Sequence, residues 1–372
     1  MLNSSRSVHM KILFVLEHFY PYIGGAEKLF YELSTNLAQQ GMEVTVVTTL
    51  FDKTLPSEEF HNGVKIVRVK CYNRFVFTLF SIPKIIKNTK GCDIIHTTTY
   101  NAALPSILAG ILMRKPVFIT FHEVWGTLWK KLPFTSFLNK NAFYLFEKLL
   151  LKLPFHKFIA VSDFTKSKLI ESGIAENKIE RIYNGIEYEL FEDYETEAPE
   201  VFTYTYFGRL GISKGLELLI PAAAEFRKSH PDSIFKLIIP KQPKGIYDKI
   251  MDLIESNNLE SYIDIHHNLP RQQLYQELLK SSCVVIPSYS EGFCYAAAET
   301  VALNIPIISS QRGALQEVVS GSFIGIEKQN STSLCNALKE AYLGKWTKTS
   351  VKKFHLQDSI KMYTEMYFRK KS

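Results

Sequence analysis

Short apolar runs alternate with amphipathic stretches along most of this chain. Lys11 to Leu16, Val44 to Thr48, Val64 to Val69, Ile94-Ile95, Val117 to Phe121 and Lys157 to Val161 read as strands. Ala26 to Gln40 has helical spacing and stops at Gly41, between the first two of them. A strand–helix–strand order predicts a parallel sheet covered by helices. Glu187 to Glu200 is polar and acidic, with Pro199 near its end, and reads as a linker. A second series follows at Tyr204 to Phe207, Phe235 to Ile239, Tyr262 to Ile265, Val284 to Ile286, Ile305 to Ile308 and Phe323 to Ile326. The pattern predicts an α/β protein of two doubly wound domains, over residues 1–190 and 200–356. Ligands of such sheets bind beyond the carboxyl ends of the strands.

One strand end carries the densest chemistry. After Cys283 to Ile286 comes Pro287-Ser-Tyr-Ser-Glu-Gly-Phe-Cys-Tyr-Ala-Ala-Ala-Glu299. The run predicts a strand, a polar turn with Gly292, and a helix beginning near Ala296. Free backbone N–H groups at a helix start attract phosphates. Glu291 and Glu299 lie at most about 12 Å apart along a helical axis. That spacing suits a ligand with a diphosphate in its middle and hydroxyls at both ends, the shape of a nucleotide sugar.

Five motifs in order carry a family resemblance over nearly the whole chain. Ser288-x-x-Glu291-Gly292-Phe293 with Glu299 resembles the Glu-x7-Glu signature of retaining GT-B glycosyltransferases of the family 4 group. Gly24-Gly25-Ala26-Glu27 resembles that family's early glycine loop, and Thr120-Phe121-His122 its active-site histidine. Ile182-Tyr183-Asn184-Gly185-Ile186 resembles its interdomain segment, and Phe207-Gly208-Arg209-Leu210 with Lys214-Gly215 its phosphate-binding turn. The resemblance implies two Rossmann-like domains facing each other across a cleft, the first for the acceptor and the second for the nucleotide-sugar donor. It also implies a last helix, over 357–372, packed back onto the first domain.

The implied roles are specific. Arg209 and Lys214 would neutralise the departing diphosphate, where negative charge grows. Gly24, Gly25, Gly208 and Gly292 would bring backbone close to the donor, with Phe293 beside them. Glu291 would face the transferred sugar and Glu299 the ribose, because a carboxylate accepts two hydroxyl hydrogen bonds. His122 would contact the sugar near the reaction centre; His96, at the end of another strand, is a weaker candidate. Asn184 and Gly185 read as hinge. Each has a bland alternative: surface cations, a helix-start charge at Glu291, a surface glutamate at Glu299, a core histidine. The retaining step has two open routes, a same-face ion-pair substitution and a covalent intermediate. Two positions depart from the family: Gly313-Ala314, where paired glycines are usual, and Pro240-Lys-Gln-Pro243, where a Gly-x-Gly turn is usual. Cys294 also stands where glycine is usual. These leave the base and sugar open, with a UDP-sugar ahead of GDP-mannose.

Composition narrows the setting. A hydrophobic fraction of 46% over 372 residues marks a globular chain with sizeable cores. No run is long enough for a spanning helix, no secretory signal is visible, and residues 1–9 read as an extension before Met10. Five scattered cysteines, none in a Cys-x-x-Cys pair, favour reduced thiols in the cytoplasm over disulfides or zinc. No cofactor is expected beyond the donor; no Asp-x-Asp metal motif appears, and the resemblance implies no metal, with Arg209, Lys214 and helix dipoles meeting the diphosphate charge, so the expected enzyme is metal-independent. The net charge is +7. Basic and aromatic residues interleave over 72–90 and 125–157, where Glu147 is the one acid of the second stretch. Such segments suit an anionic bilayer, which makes the inner face of the cell membrane a candidate location. Their alternative is core aromatics beneath a solvated lysine face. Nucleic acid is not expected, since no recognition module is visible. The leading reading is a hexosyl- or N-acetylhexosaminyltransferase acting on a glycan or lipid-linked acceptor in surface polysaccharide or glycolipid biosynthesis. The alternatives are a nucleotide-sugar epimerase of similar fold and a catalytically silent sugar-nucleotide-binding scaffold subunit.

Overall fold

The computed structural model describes residues 10–22, 24–71, 74–194 and 199–371. Residues 1–9, Ile23, Tyr72, Asn73, part of the linker (195–198) and Ser372 lie outside the described residues. The chain divides into two compact units, one of Met1–Gly126, Phe143–Gly185 and Leu356–Ser372, the other of Thr127–Ala142 and Ile186–His355. The stretch Thr127–Ala142, read from sequence as part of the first half, thus counts with the second unit.

The first unit holds β1 (Lys11–Val15), β2 (Glu43–Thr49), β3 (Glu58–His61), β4 (Val64–Val69), β5 (Ile94–Thr98), β6 (Val117–Phe121), β7 (Lys157–Ala160) and β8 (Ile179–Arg181). They form one sheet in the order β3-β4-β2-β1-β5-β6-β7-β8. The central strands are apolar throughout because helices cover both faces of a parallel sheet; β6 is buried at every position. Strand β3 differs from the all-parallel expectation. It pairs antiparallel with β4, His61 opposite Val64. Asn62 and Gly63, with φ of 46° and 80°, make the two-residue turn that Asn-Gly pairs favour.

The second unit holds β9 (Thr203–Phe207), β10 (Ile234–Ile238), β11 (Ile263–His266), β12 (Cys283–Ile286), β13 (Ile307–Ser309), β14 (Ser322–Gly325) and β15 (Thr347–Lys348). Their order is β11-β10-β9-β12-β13-β14-β15, with β15 antiparallel. Tyr204, Phe235, Val285 and Ile308 contribute to its core; Leu13, Ile95, Ile119 and Phe158 contribute to that of the first unit. In each sheet the chain winds outward and then returns to the other side of its first strand. The strand order therefore reverses between β1 and β5, and again between β9 and β12. Crevices for ligands open at such switch points.

The last helix, Leu356–Lys371, belongs to the first unit and buries Tyr363 and Tyr367. The Tyr367 hydroxyl meets His96 Nδ1 at 2.5 Å, and His96 Nε2 meets Thr120 Oγ1 at 2.9 Å. His96 is fully buried, so burial first, and the neighbouring His122 second, press its imidazole down to about 3. This histidine, a weaker candidate for the site, is a buried strut between a strand end and the last helix. Both its ring nitrogens are occupied by protein partners.

Candidate active site

In the second unit the switch point sets two loops side by side. β9 and β12 are paired, Tyr204 opposite Cys283, so the turns that leave them emerge at the same edge. The first turn contains Gly208, Arg209 and Lys214 and leads into the helix Leu216–Ser229. The second contains Ser288, Glu291 and Gly292 and leads into the helix Tyr295–Ala302.

Backbone locks the two turns together. Tyr289 N donates to Ser213 O at 2.8 Å. Gly215, at φ +73°, lies so close that a Cβ there would stand 2.2 Å from Pro287 O. Only glycine combines that left-handed backbone with that approach. A third turn, after β13, supports the second. Ala314 N donates to Glu291 O at 2.8 Å and Ser310 Oγ to Ser288 O at 2.6 Å. A Cβ at Gly313 would come within 2.4 Å of Glu291 O, so this glycine, the retained half of the Gly313-Ala314 pair, is fixed by Glu291 itself.

Charge then joins what backbone has aligned. Lys214 Nζ donates to Glu291 Oε1 at 2.7 Å, and Ser288 Oγ donates to the same oxygen at 2.7 Å. Glu291 is buried and Lys214 partly so. Nearby, burial and the hydrogen-bonded Tyr289 act on Glu217; burial wins and raises its carboxyl, while the Tyr289 hydroxyl is also pushed up. Arg209 is exposed, and its carbonyl accepts the Tyr206 hydroxyl at 3.2 Å.

Glu299 is buried on the helix Tyr295–Ala302, not on its surface. Its partner is Tyr275, which also accepts Arg271 Nε at 2.8 Å. Burial, and then the charge of Glu299, push that phenol up. Tyr275 carries no motif, and its apolar spacing reads only as core, so nothing in the sequence singles it out. Phe293 is buried against Tyr295 and Phe354, with ring centroids 5.5 and 5.3 Å away; its ring is packing. Cys294 takes φ +75°, which explains why glycine suits this position.

In the first unit, Gly24 is extended and caps the helix Gly25–Gln39 through its carbonyl, which accepts Lys28 N at 2.8 Å. His122 follows β6, is half-buried, and lies edge-on to Phe30 at 6.1 Å. The turn after it is held by Glu147, whose carboxylate accepts Trp125 N at 3.0 Å and Gly126 N at 2.6 Å. The one acid of the basic aromatic stretch is therefore a buried clamp. Trp129 and Phe155 are buried as well, while Phe134 packs on the core of the second unit beneath Lys249. Among the described residues no group of three or more His, Cys, Asp or Glu is placed to hold a metal ion.

Two family models divide the chain between them: Glycosyltransferase Family 4 over residues 23–190, and Glycosyl transferases group 1 over residues 191–356. The chain belongs to the GT-B glycosyltransferases. This glycosyltransferase is 27% identical over 331 residues to an uncharacterized glycosyltransferase of Methanocaldococcus jannaschii, covering 87% of this chain and 85% of the relative. It is 24% identical over 343 residues to the GPI3 subunit of phosphatidylinositol N-acetylglucosaminyltransferase of Saccharomyces cerevisiae, covering 87% and 72%. Among solved structures it resembles HepE of Anabaena in complex with UDP, with a TM-score of 0.73 and 18% identity over 97% of this chain and all (100%) of the other. The glycosyltransferase thus has the two-domain α/β GT-B fold.

Proposed function

We propose that this glycosyltransferase moves a hexose or N-acetylhexosamine, with retention, from a nucleotide-diphosphate sugar to a glycan or lipid-linked acceptor of surface polysaccharide or glycolipid biosynthesis. The observation that carries the reading is the Lys214–Glu291 pair, built where the second sheet reverses its strand order. Each is the other's counter-ion. A sugar diphosphate offers both a better partner: the phosphates take Lys214 and Arg209, and the sugar hydroxyls take Glu291. The C1–O bond to the diphosphate breaks, C1 bonds to the acceptor oxygen, and the acceptor's hydroxyl proton passes to the departing diphosphate oxygen, whose negative charge the two cations have stabilised. Glu299, steadied by Tyr275, holds the ribose, and His122 contacts the transferred sugar. Residues 200–356 take the donor and residues 1–190 the acceptor.

The donor is a UDP-sugar first and GDP-mannose second; the UDP bound by HepE supports that order. The lipid named for the GPI3 subunit supports an acceptor at a membrane. No helix among the described residues is long and apolar enough to cross a bilayer, and the five cysteines are free thiols, which fits a peripheral enzyme on the cytoplasmic face. Two cations and backbone amides meet the diphosphate charge, so transfer proceeds without a metal.

A panel of nucleotide sugars read by thermal shift tests the donor, because a bound ligand raises stability as ln(1 + [L]/Kd). Stabilisation by a UDP- or GDP-sugar is expected, followed by transfer with the donor's anomeric configuration kept and undiminished in EDTA. No shift with any nucleotide sugar, or an inverted product, overturns the reading. Activity lost in EDTA and restored by Mn²⁺ overturns the metal-free part.

A further inference from the structure

The helix Ala103–Met113 is built inside out. Its sheet side is made largely of small residues: Ala103, Ser106, Ala109 and Gly110 are buried. A Cβ at Gly110 would fall 2.3 Å from Val117 Cγ2, so the helix lies flat on β6 through its smallest residues. Three of its large residues point the other way: Leu108, Ile111 and Leu112 are 42%, 62% and 59% exposed, while Ile107 is buried. Its residues include no charged side chain. A helix that is apolar all round is otherwise found inside a core or in lipid.

Its neighbours continue the surface. The helix Arg74–Phe80 exposes Phe75, Leu79 and Phe80, and it packs on Ala103–Met113. The helix Ile82–Thr89 packs along Ala103–Met113 as well. Six large apolar side chains are thus exposed on packed helices of one unit. From Arg74 to His122 the sole acid in the sequence is Asp93, which accepts Lys11 N at 2.9 Å. Lys87, Lys90 and Arg114 on the same stretch are exposed.

We infer that the helices Arg74–Phe80, Ile82–Thr89 and Ala103–Met113 form the surface by which this protein rests on an anionic bilayer. An apolar face on a stretch whose exposed charges include Lys87, Lys90 and Arg114, with Asp93 its one acid, matches the interface of a bilayer with negative head groups. A protein–protein interface typically has a polar rim around its apolar core, and nothing in it calls for charge of one sign, whereas anionic head groups do. The surface adds Ala103–Met113 to the stretches read as basic and aromatic. It does not depend on 125–157, where Trp129 and Phe155 are core. The inference rests on the membrane-bound acceptor proposed above for its purpose, and on the exposed side chains alone for its geometry.

Flotation of the full chain with phosphatidylglycerol-rich and with pure phosphatidylcholine vesicles tests it. The wild type is expected to float with the anionic vesicles, less so at high salt. I111E/L112E should lower that binding by about tenfold or more, and K87E/K90E should lower it on anionic vesicles only. Both variants change outward residues, and an unchanged melting temperature checks that they fold. Wild-type protein that binds neither vesicle, or I111E/L112E protein that binds as well as wild type, overturns the inference. So does a wild-type dimer that I111E/L112E dissolves, since a second copy then covers the face. Nucleotide-sugar thermal shifts on the same proteins separate the two readings. Vesicle binding without any donor shift removes the proposed donor and leaves the surface standing; a donor shift without vesicle binding does the reverse.

Discussion

Lys214 Nζ stands 2.7 Å from Glu291 Oε1, across 77 residues of sequence. The contact joins the turns after β9 and β12, and both residues are removed from most solvent. Lys214→Ala should lower transfer by about 100- to 1,000-fold, as removing a transition-state donor does. It should also cost about 1–3 kcal/mol of stability, because Glu291 stays buried without its cation. Steady-state transfer and urea midpoints read the two effects. Transfer at the wild-type rate would remove Lys214 from the diphosphate site.

Gly215 and Gly313 hold positive φ where a Cβ would strike backbone of the Pro287–Glu291 turn. Gly313→Ala should therefore destabilise by about 2 kcal/mol or more and weaken nucleotide binding together. A variant that keeps both its melting temperature and its donor Kd would show that the third turn does not brace Glu291.

His96 links acid stability to the last helix. Its imidazole falls from the ordinary 6.5 to about 3 in the fold, so below pH 6.5 the unfolded chain takes up a proton that the fold refuses. The stability it contributes is whole above about pH 6.5 and declines by about 1.4 kcal/mol per pH unit as pH falls toward 3. His96→Phe should flatten that decline, measured as urea midpoints across the weakly acidic range. An equal slope in both proteins would place the acid sensitivity elsewhere.

Glu147 accepts the amides of Trp125 and Gly126, just beyond His122. Glu147→Ala should cost about 3 kcal/mol, two hydrogen bonds to a charged acceptor. It should also speed hydrogen exchange at those two amides and lower kcat more than it raises the donor KM. Glu147→Gln, which keeps one acceptor oxygen, should recover part of each. Slow exchange preserved in Glu147→Ala would mean that the turn is held by other contacts.

Much of the fold was legible in the chain. Short apolar runs such as Ile12 to Val15 and Cys283 to Ile286 fit strands buried on both faces, and their spacing leaves room for crossover helices. The antiparallel β3 was not read, because Glu58–His61 is polar and only the Asn62-Gly63 turn marks it. Arg209, Lys214, Glu291 and Glu299 were visible as motifs, since the residues of each turn lie close together in sequence.

Local pattern thus determined which segments become strands and which turns carry cations, glycines and carboxylates. Tertiary structure alone decided who meets whom. It paired Lys214 with Glu291 and Glu299 with Tyr275, closed both nitrogens of His96 against protein groups, and turned Phe293 inward. It also set the small residues of Ala103–Met113 on the sheet and Leu108, Ile111 and Leu112 outside. Periodicity says that a side chain has a face. Which surface that face meets depends on chain segments tens of residues away, and on the packing that leaves room for a glycine where a Cβ would collide.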